Sequence, residues 1–256
     1  MLDHPVLLSH RSHDYRHLIQ RWRSVAQRCG TRLQRWGVAG ELPLYCFRTR
    51  ALPREGGLYI SAGIHGDEPG ATEGLIAWAE REGERLQELP LLIFPCLNPW
   101  GLVTNSRFDQ SGTDLNRSFH LDDLPFVAGW KKVLEPYKFS VALNLHEDYD
   151  AQGLYLYEVQ RERPYWGEEL LEAARPVIPI EQRVKVDGRR AKAGLIRRRL
   201  NQRWLEEMGY PEAIWLHLHH AARTFTIETP SEFALPHRMA AHMAIIDECV
   251  RRLSQT

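Results

Sequence analysis

His65 and Glu68 stand three residues apart in Ser61-Ala62-Gly63-Ile64-His65-Gly66-Asp67-Glu68-Pro69-Gly70, directly after an apolar run. An imidazole nitrogen and a carboxylate delivered at the mouth of a buried strand are both ligand types that suit Zn²⁺. A His-x-x-Glu pair should arise about once by chance in a chain this rich in both residues, so its meaning depends on partners elsewhere in the chain. Downstream come Arg107, then Gly112-Thr113-Asp114-Leu115-Asn116-Arg117, then His146 at the end of the apolar run 141–145. Last is Glu228, set late in the apolar stretch Thr224-Phe225-Thr226-Ile227-Glu228-Thr229-Pro230.

Together these residues describe a coherent reaction. His65, Glu68 and His146 make a three-ligand site for one Zn²⁺ per chain, leaving a fourth position for water whose pKa the metal lowers. Glu228 is the expected general base, taking the water's proton and passing it to a departing amine. Arg107 is placed to stabilise the oxyanion, and Asn116 with Arg117 to hold a substrate carboxylate. Asp114 is suited to orienting a ligand imidazole through its free N–H. An unpaired carboxylate directly after Phe225-Thr226-Ile227 is costly to bury, which makes Glu228 the residue hardest to read as ornament.

The elements that must position these side chains are visible in the hydrophobic pattern. Strand-like runs fall at 42–49, 58–64, 91–97, 140–146, 153–158 and 224–228. Helical spacing covers 14–36, 70–88, 126–135, 166–175, 194–208 and 236–253, the first as an amphipathic opening helix. Alternating strands and helices predict an α/β sandwich around a mostly parallel sheet, with ligands beyond the carboxyl ends of the strands. Each candidate site residue comes just after such a strand end.

The ordered set His65-x-x-Glu68, Asn98-Pro99-x-Gly101, Asp114-Leu115-Asn116-Arg117, strand-ending His146 and Glu228 in a Glu-Thr-Pro context resembles the M14 zinc carboxypeptidase family. The short turns are similar to its murein-peptide amidase and succinylglutamate desuccinylase/aspartoacylase branches. The resemblance runs from about residue 57 to 230. It implies a carboxypeptidase-like, three-layer α/β/α fold with a mixed eight-stranded sheet. It also implies the same roles for these residues and, as substrate, a peptide or an acylated amino acid. Two departures bear on specificity. The family's mobile Tyr has Tyr210 as its one candidate in the 50 residues before Glu228, and His146 is trailed by the acidic run Glu147-Asp148-Tyr149-Asp150.

Composition narrows the alternatives. The 256 residues, 43% hydrophobic, fit a single domain of this kind with an N-terminal amphipathic helix at about 14–36. Lys+Arg and Asp+Glu balance at 33 each, so no global field recruits nucleic acid or a membrane surface. No apolar stretch reaches signal-peptide or membrane-spanning length. Four scattered cysteines, Cys29, Cys46, Cys96 and Cys249, read as reduced thiols in a cytoplasmic protein. His217, His219 and His220 are expected on a pocket wall or solvated face rather than in a second metal site. The arginines between 189 and 203 are expected on a solvated helix face, with steering of an acidic substrate as the alternative. Three functions stay open: a zinc peptidase acting near a free carboxylate, an N-acyl-amino-acid hydrolase, and a binding domain that has lost the reaction. Oligomeric state is not legible.

Overall fold

The computed structural model describes residues 11–160, 163–198, 200 and 209–255. The first ten residues, Arg199, Arg203 and the rest of 201–208 lie outside them. In chain order the elements are α1 (Tyr15–Arg28), β1 (Gln34–Ala39), β2 (Leu42–Arg48), β3 (Leu58–Ser61), α2 (Pro69–Glu82), β4 (Leu91–Phe94), α3 (Pro99–Thr104) and α4 (Pro125–Leu134). Next are β5 (Phe139–Asp148), β6 (Tyr155–Gln160), α5 (Gly167–Ala174), β7 (Lys185–Val186), β8 (Arg189–Arg190), β9 (Leu195–Arg197), α6 (Glu212–His219), β10 (Ala221–Pro230) and α7 (Leu235–Leu253). None of the described helices is long and apolar enough to cross a membrane.

The eight-stranded sheet runs β1-β2-β4-β3-β5-β10-β6-β9, and β7 and β8 form a separate hairpin. Its centre, β4-β3-β5-β10, is parallel, while β1 pairs antiparallel with β2, β2 with β4 and β6 with β10, and β9 lies parallel to β6. The central strands are buried on both faces, as a parallel sheet covered by helices requires. Alternation then sorts their side chains. Ile60, Leu91 and Ile93 enter a core with Trp22 of α1, Trp78 of α2 and Ile245 of α7. Tyr59, Leu92 and Phe94 face the other way, onto Trp130 of α4 and Leu216 of α6. Trp130 anchors this second layer, donating its indole N–H to Tyr59 Oη at 2.9 Å and packing against Phe119 and Trp215. The expected carboxypeptidase-like α/β/α fold is the one observed.

Two segments differ from the sequence pattern. The opening helix, expected over 14–36, starts at the Asp14 cap, whose carboxylate accepts the His17 N–H at 2.9 Å, and ends at Arg28. Gly30, at φ +60°, turns the chain, and Gln34–Ala39 instead pairs with β2 as an edge strand. The helix expected over 194–208 is replaced at its start by β9, where Leu195 and Ile196 sit opposite Leu156 and Tyr157. Two apolar residues followed by a run of arginines mimic helical spacing, but the edge of β6 offers a ladder of backbone partners there.

Candidate metal centre

The site lies at the carboxyl ends of β3, β4, β5 and β10, where an open α/β sheet leaves a crevice, with His146 and Glu228 still inside the last part of the β5–β10 ladder rather than after it. After β3 the chain turns through Gly66, whose backbone rests so close to α3 that a Cβ there would fall 1.8 Å from the Gly101 carbonyl carbon. That close approach holds the loop carrying His65 and Glu68, and Pro69 then starts α2. His146 and Glu228 face each other in register on the neighbouring parallel strands β5 and β10.

His65, Glu68 and His146 are all buried, and one ligand atom from each lies within 4.8 Å of the others. Among the described residues, no other group of three such side chains converges in this way. The two imidazoles approach the same carboxylate through the same ring atom. Nδ1 of His65 is 2.5 Å from Glu68 Oε1, and Nδ1 of His146 is 2.9 Å from Oε2. On the far side of the His65 ring, Nε2 lies 3.3 Å from Asp114 Oδ1. A carboxylate on the remote nitrogen is the usual means of fixing the tautomer of a ligating imidazole. The donor set, its convergence and this outer carboxylate fit a zinc-type ion held by His65, Glu68 and His146.

The remaining expected residues gather round this cluster. Arg107 donates through Nε and Nη2 to Asp114 Oδ2 at 3.2 and 3.0 Å, and its Nη1 is 3.2 Å from His65 Nδ1. Asp114 caps a short 3₁₀ turn by accepting the Asn116 N–H at 2.9 Å. Asn116 Oδ1 accepts the Glu212 N–H at 2.9 Å, which leaves the amide group to the cavity. Arg117 Nη1 donates to the Asn116 carbonyl at 2.9 Å. All of these except Asp114 line one cavity of about 310 Å³, which also receives Glu228, Tyr155, Tyr157, Asp187, Arg189 and Arg198.

Electrostatics separate the carboxylates. Burial alone would push Glu68 up, but the imidazoles of His65 and His146 hold its carboxyl well below the usual range. Asp114 is likewise opposed by burial yet kept low by His65, Arg107 and Arg117. Glu228 goes the other way: burial, aided by Glu68, Asp148 and Asp187 and opposed by His146, raises it to about 8. Two carboxyl groups driven apart in this manner differ in what they can do, one staying ionised and the other able to exchange a proton near neutral pH.

Residues 55–158 match the family model of the Succinylglutamate desuccinylase/Aspartoacylase catalytic domain. No curated protein matches the chain in sequence. Among solved structures, a candidate metallopeptidase from Shewanella amazonensis SB2B superposes with a TM-score of 0.83 at 22% identity, over 94% of each chain. A metallo-carboxypeptidase from Burkholderia cenocepacia gives 0.68 at 16% identity, over 94% of this chain and 69% of that one. The murein-tripeptide amidase MpaA from Escherichia coli O157 gives 0.56 at 18% identity, over 86% and 91%. These likenesses show the fold and agree with the family resemblance carried by the motifs. The matched segment holds every expected site residue except Glu228.

Several cavity residues escape the sequence reading. Tyr210 does not line the cavity; its backbone bridges to Arg117 and Phe119, and its ring packs on His120. Tyr155 and Tyr157 are there instead, donating to Asp148 Oδ2 at 2.8 Å and Asp187 Oδ2 at 2.6 Å. The signal was their alternation on β6, which places Tyr155 opposite Glu228 and Tyr157 opposite Thr226. Arg189 and Arg198, expected on a solvated helix, line the cavity because the β7–β8 hairpin and β9 fold over it. The His217 cluster does not line this cavity: His217 is buried in α6, His219 and His220 pack on Trp215, and all three border a separate shallow pocket.

Proposed function

We propose that this chain is a zinc-dependent hydrolase that cleaves an amide bond close to a free substrate carboxylate. The observation that supports it most strongly is the approach of two Nδ1 atoms to one buried carboxylate, beside a carboxyl group whose pKa is raised to about 8. Bound by His65, Glu68 and His146, a zinc ion would supply Lewis acidity to a carbonyl and acidity to a water. Glu228 accepts the proton of the attacking water and returns it to the departing amine, a role suited to a pKa near working pH. Arg107, held in place by Asp114, sets its guanidinium beside the ligand cluster, where charge develops on the carbonyl oxygen. Arg117 and the Asn116 amide grip the carboxylate and so fix the bond being cut.

The first reading is a carboxypeptidase-like reaction. An N-acyl-amino-acid hydrolase of the desuccinylase or aspartoacylase type is the second, and one observation favours it. Arg117, Arg189 and Arg198 share the cavity, and Arg198 is lowered by burial and then by the charges of Arg189 and Arg117. Such a wall suits a small, strongly anionic substrate. The test is a comparison of short peptides with free and amidated C-termini against N-succinyl- and N-acetyl-amino acids, using zinc-loaded protein. Turnover of any of them supports a hydrolase, and the preferred class chooses between the readings. Stoichiometric zinc without cleavage of any amide would leave a binding domain and overturn both.

A further inference from the structure

Glu147 comes directly after a proposed metal ligand and precedes the end of β5, yet its side chain is wholly inaccessible to solvent. Its carboxylate gathers three separate segments. Oε2 accepts the Gly70 N–H at 3.1 Å, in the first turn of α2 and two residues beyond Glu68. Oε1 accepts the Thr229 hydroxyl at 3.3 Å, one residue beyond Glu228. Both oxygens accept from Nη1 of Arg238 at 2.8 Å, which ties the group to α7. The backbone N–H of Glu147 itself donates to Glu68 Oε2 at 3.2 Å. The space for this carboxylate depends on residue 70 being glycine, since a Cβ there would fall 2.1 Å from Glu147 Oε1.

We propose that Glu147 is a positioning residue of the metal centre: its buried carboxylate joins the segments that carry Glu68, His146 and Glu228 and fixes those three groups relative to one another. The inference rests on the proposed metal site. A buried carboxyl group is expensive to leave without partners, and Arg238, Gly70 and Thr229 supply them here. Two chain segments that would hold one ion, and a third that sets Glu228 beside it, need a common reference point, because a shift of a fraction of an ångström in one group weakens the whole site. Glu147 touches neither the ion nor the reacting atoms; it acts through the groups beside it.

The test uses Glu147→Gln, which keeps size and replaces an accepting oxygen with a donor, and Gly70→Ala, which displaces the carboxylate without altering any ligand. Thr229→Val, which removes one hydroxyl, serves as a third, milder variant. Each full-length protein is stripped of metal and titrated with Zn²⁺ against a chromophoric chelator, and its Co²⁺ absorption spectrum is recorded. Outer-shell partners of metal ligands typically matter by about 10–100-fold in affinity, so weaker Zn²⁺ binding of that order with an altered Co²⁺ spectrum is expected for the first two. If Glu147→Gln fails to fold, the other two variants decide the matter. Folded variants with the wild-type Zn²⁺ constant and Co²⁺ spectrum, even with lowered unfolding temperatures, would make Glu147 structural and overturn the inference alone. A wild-type protein that binds neither ion overturns the metal-centre reading and this inference with it.

Discussion

Replacing Glu228 by Gln should separate activity from stability in opposite directions. The carboxyl group is half-buried, and burial lifts its pKa from an ordinary 4.5 to about 8. A folded-state pKa above the unfolded one means that the folded protein binds the proton more tightly. The group therefore costs nothing below pH 4.5, and its cost grows with pH up to the folded value. At about 1 kcal/mol or slightly more per pH unit, ionising the unfolded chain's Glu228 disfavours folding by under about 1 kcal/mol at pH 5 and roughly 3 kcal/mol at pH 7. Gln carries no such charge. Urea unfolding of the metal-free proteins should show Glu228→Gln more stable than wild type by up to about 3 kcal/mol at pH 7, with the gap nearly closed at pH 5. Turnover of the zinc-loaded variant should fall by about 10²–10⁴-fold, the usual share of a general base, with zinc content unchanged. A stability difference independent of pH would refute the burial argument, and a fully active variant would refute the assignment of the base.

Other perturbations probe the rest of the site and its support. Arg117→Ala should raise KM for free-acid substrates while amidated analogues change little; equal losses on both would argue against a carboxylate clamp. His242 is fully buried and its pKa is lowered to about 3 by burial and by the charges of Arg238 and His146. The unfolded chain therefore gains a proton that the folded protein refuses, and stability is lost as pH falls from about 6.5 toward 3, at up to ~1.4 kcal/mol per pH unit. His242→Gln should flatten that acid limb in urea titrations, and an unchanged slope would reject the explanation. Trp130→Ala, which empties the centre of the second core layer, should cost about 3–5 kcal/mol of unfolding free energy. A loss under about 1 kcal/mol would mean that the layer closes around the gap.

Much of the architecture was legible because its strands are short, continuous apolar runs. The segments 58–64, 91–97 and 140–146 stand out, and their ends point to His65, Asn98 and His146. The features that periodicity missed arise from pairing rather than composition. Gln34–Ala39 is a strand because β2 leaves an open edge, although its Gln, Arg and Gly look unlike a buried ladder. Arg189 and Arg198 reach the cavity through a hairpin and a three-residue strand, elements too short to leave a period. Tyr155 and Tyr157 acquire their place from the antiparallel register with β10, and no sequence spacing encodes which strand becomes the neighbour. Glu147, which the sequence suggested as a bearer of substrate preference, is instead buried against Arg238.

His146 and Glu228 are adjacent in space but more than eighty positions apart along the chain, and the intervening stretch supplies Tyr155, Tyr157, Asp187, Arg189, Arg198 and Ile214 to the cavity wall. Under the proposed function, much of the recognition wall is thus encoded apart from the proposed ligands and base, with Asn116 and Arg117 added from the segment before His146. An exchange limited to 155–198 between homologous scaffolds, which leaves Glu147 and Glu212 in place, is the one that would retune what is accepted while sparing the proposed bond-breaking groups.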